Sequence, residues 1–246
     1  MTKISVDQAL MKAKSHAKKG KLGEAKELLE QVLDCYIDQN NVELGAELQA
    51  HNQFPQSAPE QLINKLIELY NGGYLNAVVD EARVLTKQYP NEFVIWDLLG
   101  AAAAQTGQLE LTVSVNQKLI ALKSDHCIAY NNLGTALCEL GNYEDAIITL
   151  NKAIQINPYD ADAHYNLGNA RHNNSEYKKA VESYEAAIEI RPDFIEAINN
   201  MGNTFVVLKN YEQAMQAFKN VLTLRPDFTQ AKDGLKICFE NLTTFE

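Results

Sequence analysis

The chain has 246 residues, of which 46% are hydrophobic and 22% are charged, so it can bury a core and is not a disordered tail. Its four cysteines are widely spaced and include no C-x-x-C pair, which argues against a metal or disulfide framework and predicts reduced thiols in a cytoplasmic protein. The net charge of −10 disfavours nucleic-acid binding, because phosphate neutralisation needs lysine and arginine on the contact face.

The first predicted element is a helical hairpin within residues 1–38. Ser5 and Gln8 are spaced as a capping box, Gly20 is placed at the turn, and Leu29 and Val32 share one helical face. Residues 1–26 contain seven lysines and carry a net charge of +5, which leaves −15 for the remainder. We interpret this basic run as a solvated helix face, with docking on an acidic partner as the alternative. No apolar run here or later has the length of a membrane span, so we expect no membrane insertion.

Residues 39–57 are rich in Asn and Gln and are predicted to be a linker. Because this segment has few apolar residues between two helical patterns, we expect it to be the most mobile internal stretch.

Two helical hairpins are predicted next, at 58–92 and 93–126. Gly100, with Trp96 and Leu99, lies 34 residues before an equivalent glycine downstream. Tyr74 and Ala77 fit the earlier unit if it contains one extra residue, so we expect the packing of 58–126 to be less regular than that of the repeats that follow.

The clearest pattern is a 34-residue repeat in the units 127–160, 161–194 and 195–228. Glycine, tyrosine, alanine and proline each recur with that spacing: Gly134, Gly168 and Gly202; Tyr143, Tyr177 and Tyr211; Ala146, Ala180 and Ala214; Pro158, Pro192 and Pro226. Each unit is predicted to contain two helices, with the glycine allowing close helix approach and the proline following the second helix. Asp193 and Asp227 are predicted to be helix N-caps.

An amphipathic helix is predicted in 229–246, with Leu235, Cys238, Phe239 and Leu242 on one side. A stack of repeats needs such a cap because its last unit would otherwise expose an apolar face.

The repeat resembles that of tetratricopeptide-repeat (TPR) proteins. The resemblance implies an all-α fold: a right-handed superhelical solenoid of antiparallel helix pairs, with five units across 58–228 and a capping helix. It also implies a function in protein binding, along a concave groove formed by the first helix of each unit. We therefore predict thirteen helices, counting the N-terminal hairpin and the cap.

Helix geometry divides each first helix into two faces, and the resemblance implies that the face opposite the packing residues lines the groove. A rotation of 100° per residue gathers the second, fifth, sixth, ninth, twelfth and thirteenth positions of each unit on the side opposite the packing residues. This face also carries Cys138, His172 and Asn173, and we interpret the histidine as structural or solvated. The predicted peptide-binding residues are Asn131, Asn132, Thr135, Glu139, Asp162, Tyr165, Asn166, Asn169, Asn199, Asn200 and Asn203.

Asparagine recurs at the sixth position of the units, at Asn132, Asn166 and Asn200. Such side chains can donate to and accept from the backbone of an extended peptide, and they resemble the groove asparagines of O-GlcNAc transferase. The alternative is that they bond locally or face water. Because the groove positions include acidic residues and no lysine or arginine, we expect a neutral or basic peptide rather than an acidic chaperone tail.

No catalytic, cofactor or metal-binding motif occurs in the sequence, so the leading hypothesis is a non-catalytic scaffold for a protein or peptide partner, with self-association left open. The alternative is the substrate-recruiting arm of a transferase. Its basis is the lysine-rich hairpin, the linker and the Arg-Pro-Asp-Phe repeat ends, which resemble bacterial TPR proteins that continue into sulfotransferase or glycosyltransferase domains. The apolar cap favours a natural end to the chain near Glu246.

Overall fold

The computed structural model describes residues 57–243, which form eleven α-helices and no strand. The helices are α1 (Glu60–Asn71), α2 (Leu75–Gln88), α3 (Phe93–Gln105), α4 (Leu109–Leu122), α5 (Cys127–Glu139), α6 (Tyr143–Ile156), α7 (Ala161–Asn173), α8 (Tyr177–Ile190), α9 (Ile195–Val207), α10 (Tyr211–Leu224) and α11 (Thr229–Thr243). Five helix pairs followed by one helix confirm the predicted all-α solenoid with a C-terminal cap. The predicted hairpin in 1–38 and the linker, apart from Ser57, lie outside the described residues.

The two helices of every pair are joined by a turn with one left-handed residue. In successive pairs this residue is Gly73, Gly107, Gly141, Ser175 and Lys209, each 34 residues after the equivalent residue of the preceding pair. The following residue donates its N–H back to the first helix, as from Asn142 to the carbonyl of Leu137 at 2.9 Å. Reversal within three residues depends on this backbone conformation, which glycine adopts most easily.

The register predicted for the first described pair is wrong by one residue. The second helices begin at Leu75, Leu109, Tyr143, Tyr177 and Tyr211, an unbroken 34-residue spacing that needs no extra residue. Val78, which is buried, therefore takes the place of the crossing alanine, whereas Tyr74 is 65% exposed. The match of Tyr74 to the later tyrosines was misleading because Leu75 has that structural position.

Close helix approach within each regular pair depends on the glycine of the first helix. A Cβ atom added to Gly134 would lie 2.5 Å from the Leu150 side chain, and one added to Gly202 would lie 2.7 Å from the ring of Phe218. Gly168 has the same relation to Tyr184, again closer than real Cβ contacts allow. Each glycine thus makes room for one large residue of the second helix.

The helices form two layers. Each helix packs against the next one in the chain, and the first helices α1, α3, α5, α7 and α9 also contact one another in order. Among the described residues, the second helices of successive pairs make no such contact. The first helices therefore lie on the inner side of the stack, and their exposed faces line the groove.

Helix α11 covers the end of the stack. Ala231, Gly234 and Cys238 are its buried residues, and Leu235 packs against the same core. Phe239, predicted to lie on the buried side, is instead 52% exposed.

The predicted N-cap at Asp193 is also wrong, because α9 is preceded by Phe194 and has no side-chain cap. Asp160 does cap α7, because its side chain accepts hydrogen bonds from the backbone N–H groups of Asp162 and Ala163.

Candidate functional site

The inner faces of α5, α7 and α9 enclose an open cleft of about 370 Å³. Ten residues line it, nine from these three helices and one from α8: Thr135, Cys138, Glu139, Asn166, Asn169, His172, Asn173, Tyr184, Asn200 and Asn203. Six of them belong to the predicted peptide-binding set, namely Thr135, Glu139, Asn166, Asn169, Asn200 and Asn203.

Two other predicted residues, Asn131 and Tyr165, bond to asparagines of the cleft. The Asn166 amide donates to Oδ1 of Asn131 at 3.0 Å, and the Asn200 amide donates to the hydroxyl of Tyr165 at 3.2 Å. Both bonds join a residue to one 35 positions earlier, so they have the same register in successive repeats. Asn131 and Tyr165 thereby fix the positions of cleft side chains.

Asn169 and Asn200 form the centre of a second set of bonds. Oδ1 of Asn169 accepts from the Asn200 amide at 3.0 Å and from the Tyr184 hydroxyl at 2.8 Å. In this arrangement both bonds end on the oxygen of Asn169, so its NH2 group and Oδ1 of Asn200 are left for other partners. Burial strongly raises the pKa of Tyr184, which therefore remains a neutral hydrogen-bond donor.

The remaining three predicted residues do not line the cleft. Asn132 is half-buried on α5. Asp162 forms a bidentate ion pair with Arg191, in which the two N···O distances are 2.7 and 3.1 Å. The guanidinium of Arg191 also lies 4.4 Å from the centre of the Phe194 ring. This pair links α7 to the end of α8.

Asn199 is buried, with 6% of its surface exposed, so it does not present its side chain in the groove as predicted. The fifth position of a unit faces the sixth position of the next, as Asn131 faces Asn166. For Asn199 that partner position is Gly234 of the cap, which has no side chain. Oδ1 of Asn199 is accordingly buried without a hydrogen-bond partner.

Tyr184 is the cleft residue that sequence reasoning missed. The predicted groove set contains positions of the first helices alone, whereas Tyr184 belongs to α8 and reaches the cleft over Gly168. The signal was available, because the equivalent positions in the neighbouring units hold the large residues Leu150 and Phe218.

His172 presents an unprotonated nitrogen to its surroundings. The Thr204 hydroxyl donates to the carbonyl of Asn200 at 2.7 Å, because a carbonyl can only accept. Nδ1 of His172, 2.9 Å from the same hydroxyl oxygen, must therefore carry the hydrogen, and Nε2 is left as an acceptor. Burial lowers the pKa of His172, which favours this neutral form.

The cleft carries a single negative charge. Glu139 is the only carboxylate in the lining, which contains no lysine or arginine. The neighbouring Cys138 accepts a weak bond from the Asn173 amide at 3.6 Å, and burial raises the pKa of its thiol, so it stays neutral. Within residues 57–243, no three His, Cys, Asp or Glu side chains are grouped as metal ligands would be.

Family models match the chain over the residues that form this cleft. A TPR repeat model matches 134–175, and the tetratricopeptide repeat model matches 161–194 and 195–228. The chain carries tetratricopeptide repeats. The matches at 161–194 and 195–228 coincide with pairs α7–α8 and α9–α10, whose first helices supply most of the cleft. No curated protein matches the chain in sequence.

Solved TPR structures share the fold. A crystal structure of MamA is 26% identical, with a TM-score of 0.61 over 66% of this chain and 95% of MamA. YrrB, described as a TPR protein with an unusual peptide-binding site, is 18% identical, with a TM-score of 0.63 over 78% of this chain and 97% of its own. A thermophilic TPR protein from Thermus thermophilus, TTC0263, is 18% identical, with a TM-score of 0.56 over 74% of this chain and 99% of its own.

None of the helices within 57–243 has both the length and the apolar character needed to cross a bilayer.

Proposed function

We propose that the protein is a non-catalytic scaffold that binds an extended, neutral or basic peptide along the groove of α5, α7 and α9. One observation carries this proposal. Asn166, Asn169 and Asn200 are held in place by bonds between repeats, yet they keep hydrogen-bonding groups that no bond among residues 57–243 uses.

The pair Asn169 and Asn200 suits a peptide bond. Asn200 donates to Asn169 and to Tyr165, which uses both amide hydrogens and leaves Oδ1 to accept. Asn169 accepts two bonds at its oxygen, which leaves its NH2 group to donate. A ligand amide has one N–H and one C=O, so it can bond to both side chains at once.

The charge of the groove supports a neutral or basic ligand. Glu139 lines the cleft, and Glu196 is exposed at the start of α9. An acidic peptide would be repelled by these carboxylates and would find no lysine or arginine among the ten lining residues.

The comparisons support the general class of function. TPR domains bind protein or peptide partners, and YrrB is described as having a peptide-binding site. At 18% identity that likeness concerns the fold, so our proposal for this groove is based on its own residues.

The proposal is tested by selecting phage-displayed random peptides on the purified full chain, then titrating a selected peptide by calorimetry. We expect the variant Asn169→Ala, Asn200→Ala to bind about thirtyfold more weakly, because two hydrogen bonds to the ligand of about 1 kcal/mol each are lost. Selection of no peptide by the wild type, or equal affinity of the variant, would refute the proposal.

Two further variants separate binding from folding. Asn203 is exposed in the cleft, so Asn203→Ala is expected to weaken binding about fivefold without changing the unfolding free energy. Asn76 is exposed on α2, away from the cleft, and Asn76→Ala should bind like the wild type.

A further inference from the structure

Several hydrogen-bond acceptors in the cleft lining have no donor among residues 57–243. The hydroxyl hydrogen of Thr135 is donated to the carbonyl of Asn131 at 2.9 Å, and that of Tyr184 is donated to Asn169. Both hydroxyl oxygens can still accept. Together with Oδ1 of Asn200 and Nε2 of His172, they give the cleft four neutral acceptors that bonds within the described part of the chain leave available.

Glu139 adds a carboxylate to these acceptors. It is exposed at the end of α5, and it belongs to none of the ion pairs found among residues 57–243. Donors also remain in the lining, on Asn169 and Asn203, and these suit the backbone carbonyls of a ligand.

A positively charged group with several N–H donors would match these acceptors and the carboxylate. The ammonium of lysine and the guanidinium of arginine have these properties, and both bond more strongly to a carboxylate than neutral donors do. At about 370 Å³ the cleft is at the small end of ligand sites, so its size fits one side chain with the adjoining backbone rather than a whole folded surface.

We infer that the cleft is a specificity pocket for one lysine or arginine side chain of the bound peptide, with Glu139 as its ion-pair partner. This inference rests on the proposed peptide-binding function and adds the identity of one ligand residue. The side chain would enter between α5 and α7, while its backbone amide bonds to Asn169 and Asn200.

The test compares peptide selection by the wild type, Glu139→Gln and Glu185→Gln. Glu185 is an exposed residue of α8 outside the cleft lining, so its substitution changes the net charge equally and is the matched control. We expect wild type and Glu185→Gln to select peptides with lysine or arginine at one fixed position, and Glu139→Gln to lose that preference. Replacing the selected cation by norleucine should weaken binding to the wild type about tenfold, but should leave binding to Glu139→Gln nearly unchanged.

The outcomes separate the two proposals. If the wild type selects a peptide family without a fixed cationic position, or if norleucine weakens binding equally in wild type and Glu139→Gln, the inference is wrong while peptide binding stands. If the wild type selects no peptide, the proposed function fails and the inference fails with it. Circular dichroism of both variants should match the wild type, since both substituted residues are exposed.

Discussion

Polar side chains inside this stack differ in whether a neighbouring residue completes their hydrogen bonds. Asn166 has Asn131 of the preceding repeat as its partner, and Asn200 has Tyr165. Asn116 is in a less favourable position. It is fully buried, its amide donates to the carbonyl of Thr112 at 2.7 Å, and its Oδ1 has no partner. The equivalent residue of the next unit is Leu150, also fully buried.

We therefore predict that Asn116→Leu stabilises the protein by about 1 kcal/mol, because a buried acceptor without a partner is replaced by an apolar group. The reverse change, Leu150→Asn, should cost about 3 kcal/mol by the same reasoning. Urea unfolding followed by circular dichroism measures both. A loss of stability in Asn116→Leu would mean that Val115 and Gly100 leave no room for the larger side chain.

The helix boundaries could largely be predicted from sequence, since a 34-residue period fixes them wherever the repeat is regular. The register of α2 could not be predicted. Tyr74 has the same residue type as the tyrosines that begin the later second helices, but Leu75 is the residue that begins α2. The cleft was predicted in part for a similar reason. Helix geometry selected Asn166 and Asn200, but Tyr184 enters from α8 and Asn199 is buried beside Gly234, and both depend on contacts between helices.

The turns of the helix pairs share one backbone conformation but not one residue type. Glycine has a positive φ in three of them, at 69–80°, whereas Ser175 and Lys209 have φ of 61° and 59°. A side chain at such an angle is disfavoured because its Cβ crowds the backbone. The turn within each of the last two helix pairs is therefore strained.

Lys209→Gly is expected to stabilise the protein by about 0.5–1 kcal/mol, since the relief of strain exceeds the added chain entropy of glycine. The control variant is Gly141→Ala, which introduces a side chain at the equivalent turn position of an earlier pair. A Cβ at Gly141 would meet no atom within 4 Å, so its expected cost of about 1 kcal/mol is due to the backbone alone. Thermal melts of the two variants should shift in opposite directions, and a shift in the same direction would contradict this account.

At the scale of the whole molecule, stability depends on contacts between neighbours in the chain. Each pair packs against the next, and among the described helices the cap α11 packs against α9 and α10 alone. Its contact is tight, because the Phe218 ring lies between Gly202 and Gly234. The end of the stack is therefore closed by one aromatic ring held between two glycines.

Gly234→Ala tests the importance of this closure. In an open helix, alanine would stabilise by about 1 kcal/mol relative to glycine. Here its Cβ would lie 2.5 Å from the Phe218 ring, so we expect a loss of about 1–2 kcal/mol instead. Asp233→Ala, at an exposed site of the same turn, should change stability by less than about 0.5 kcal/mol. Differential scanning calorimetry measures whether Gly234→Ala raises or lowers the melting temperature. A higher melting temperature would contradict the close contact between Gly234 and the Phe218 ring.

The two layers also determine how the stack responds to force. Among the described helices, the first helices touch along the inner edge, whereas the second helices of successive pairs do not touch along the outer edge. Tightening the curve would compress side chains already in contact, and straightening it would separate them and break the bonds that join Asn131 to Asn166 and Asn169 to Asn200. The inner edge therefore resists bending in both directions. A ligand meets a groove of nearly constant width, and the side chains of the groove rather than its backbone must adjust to the ligand.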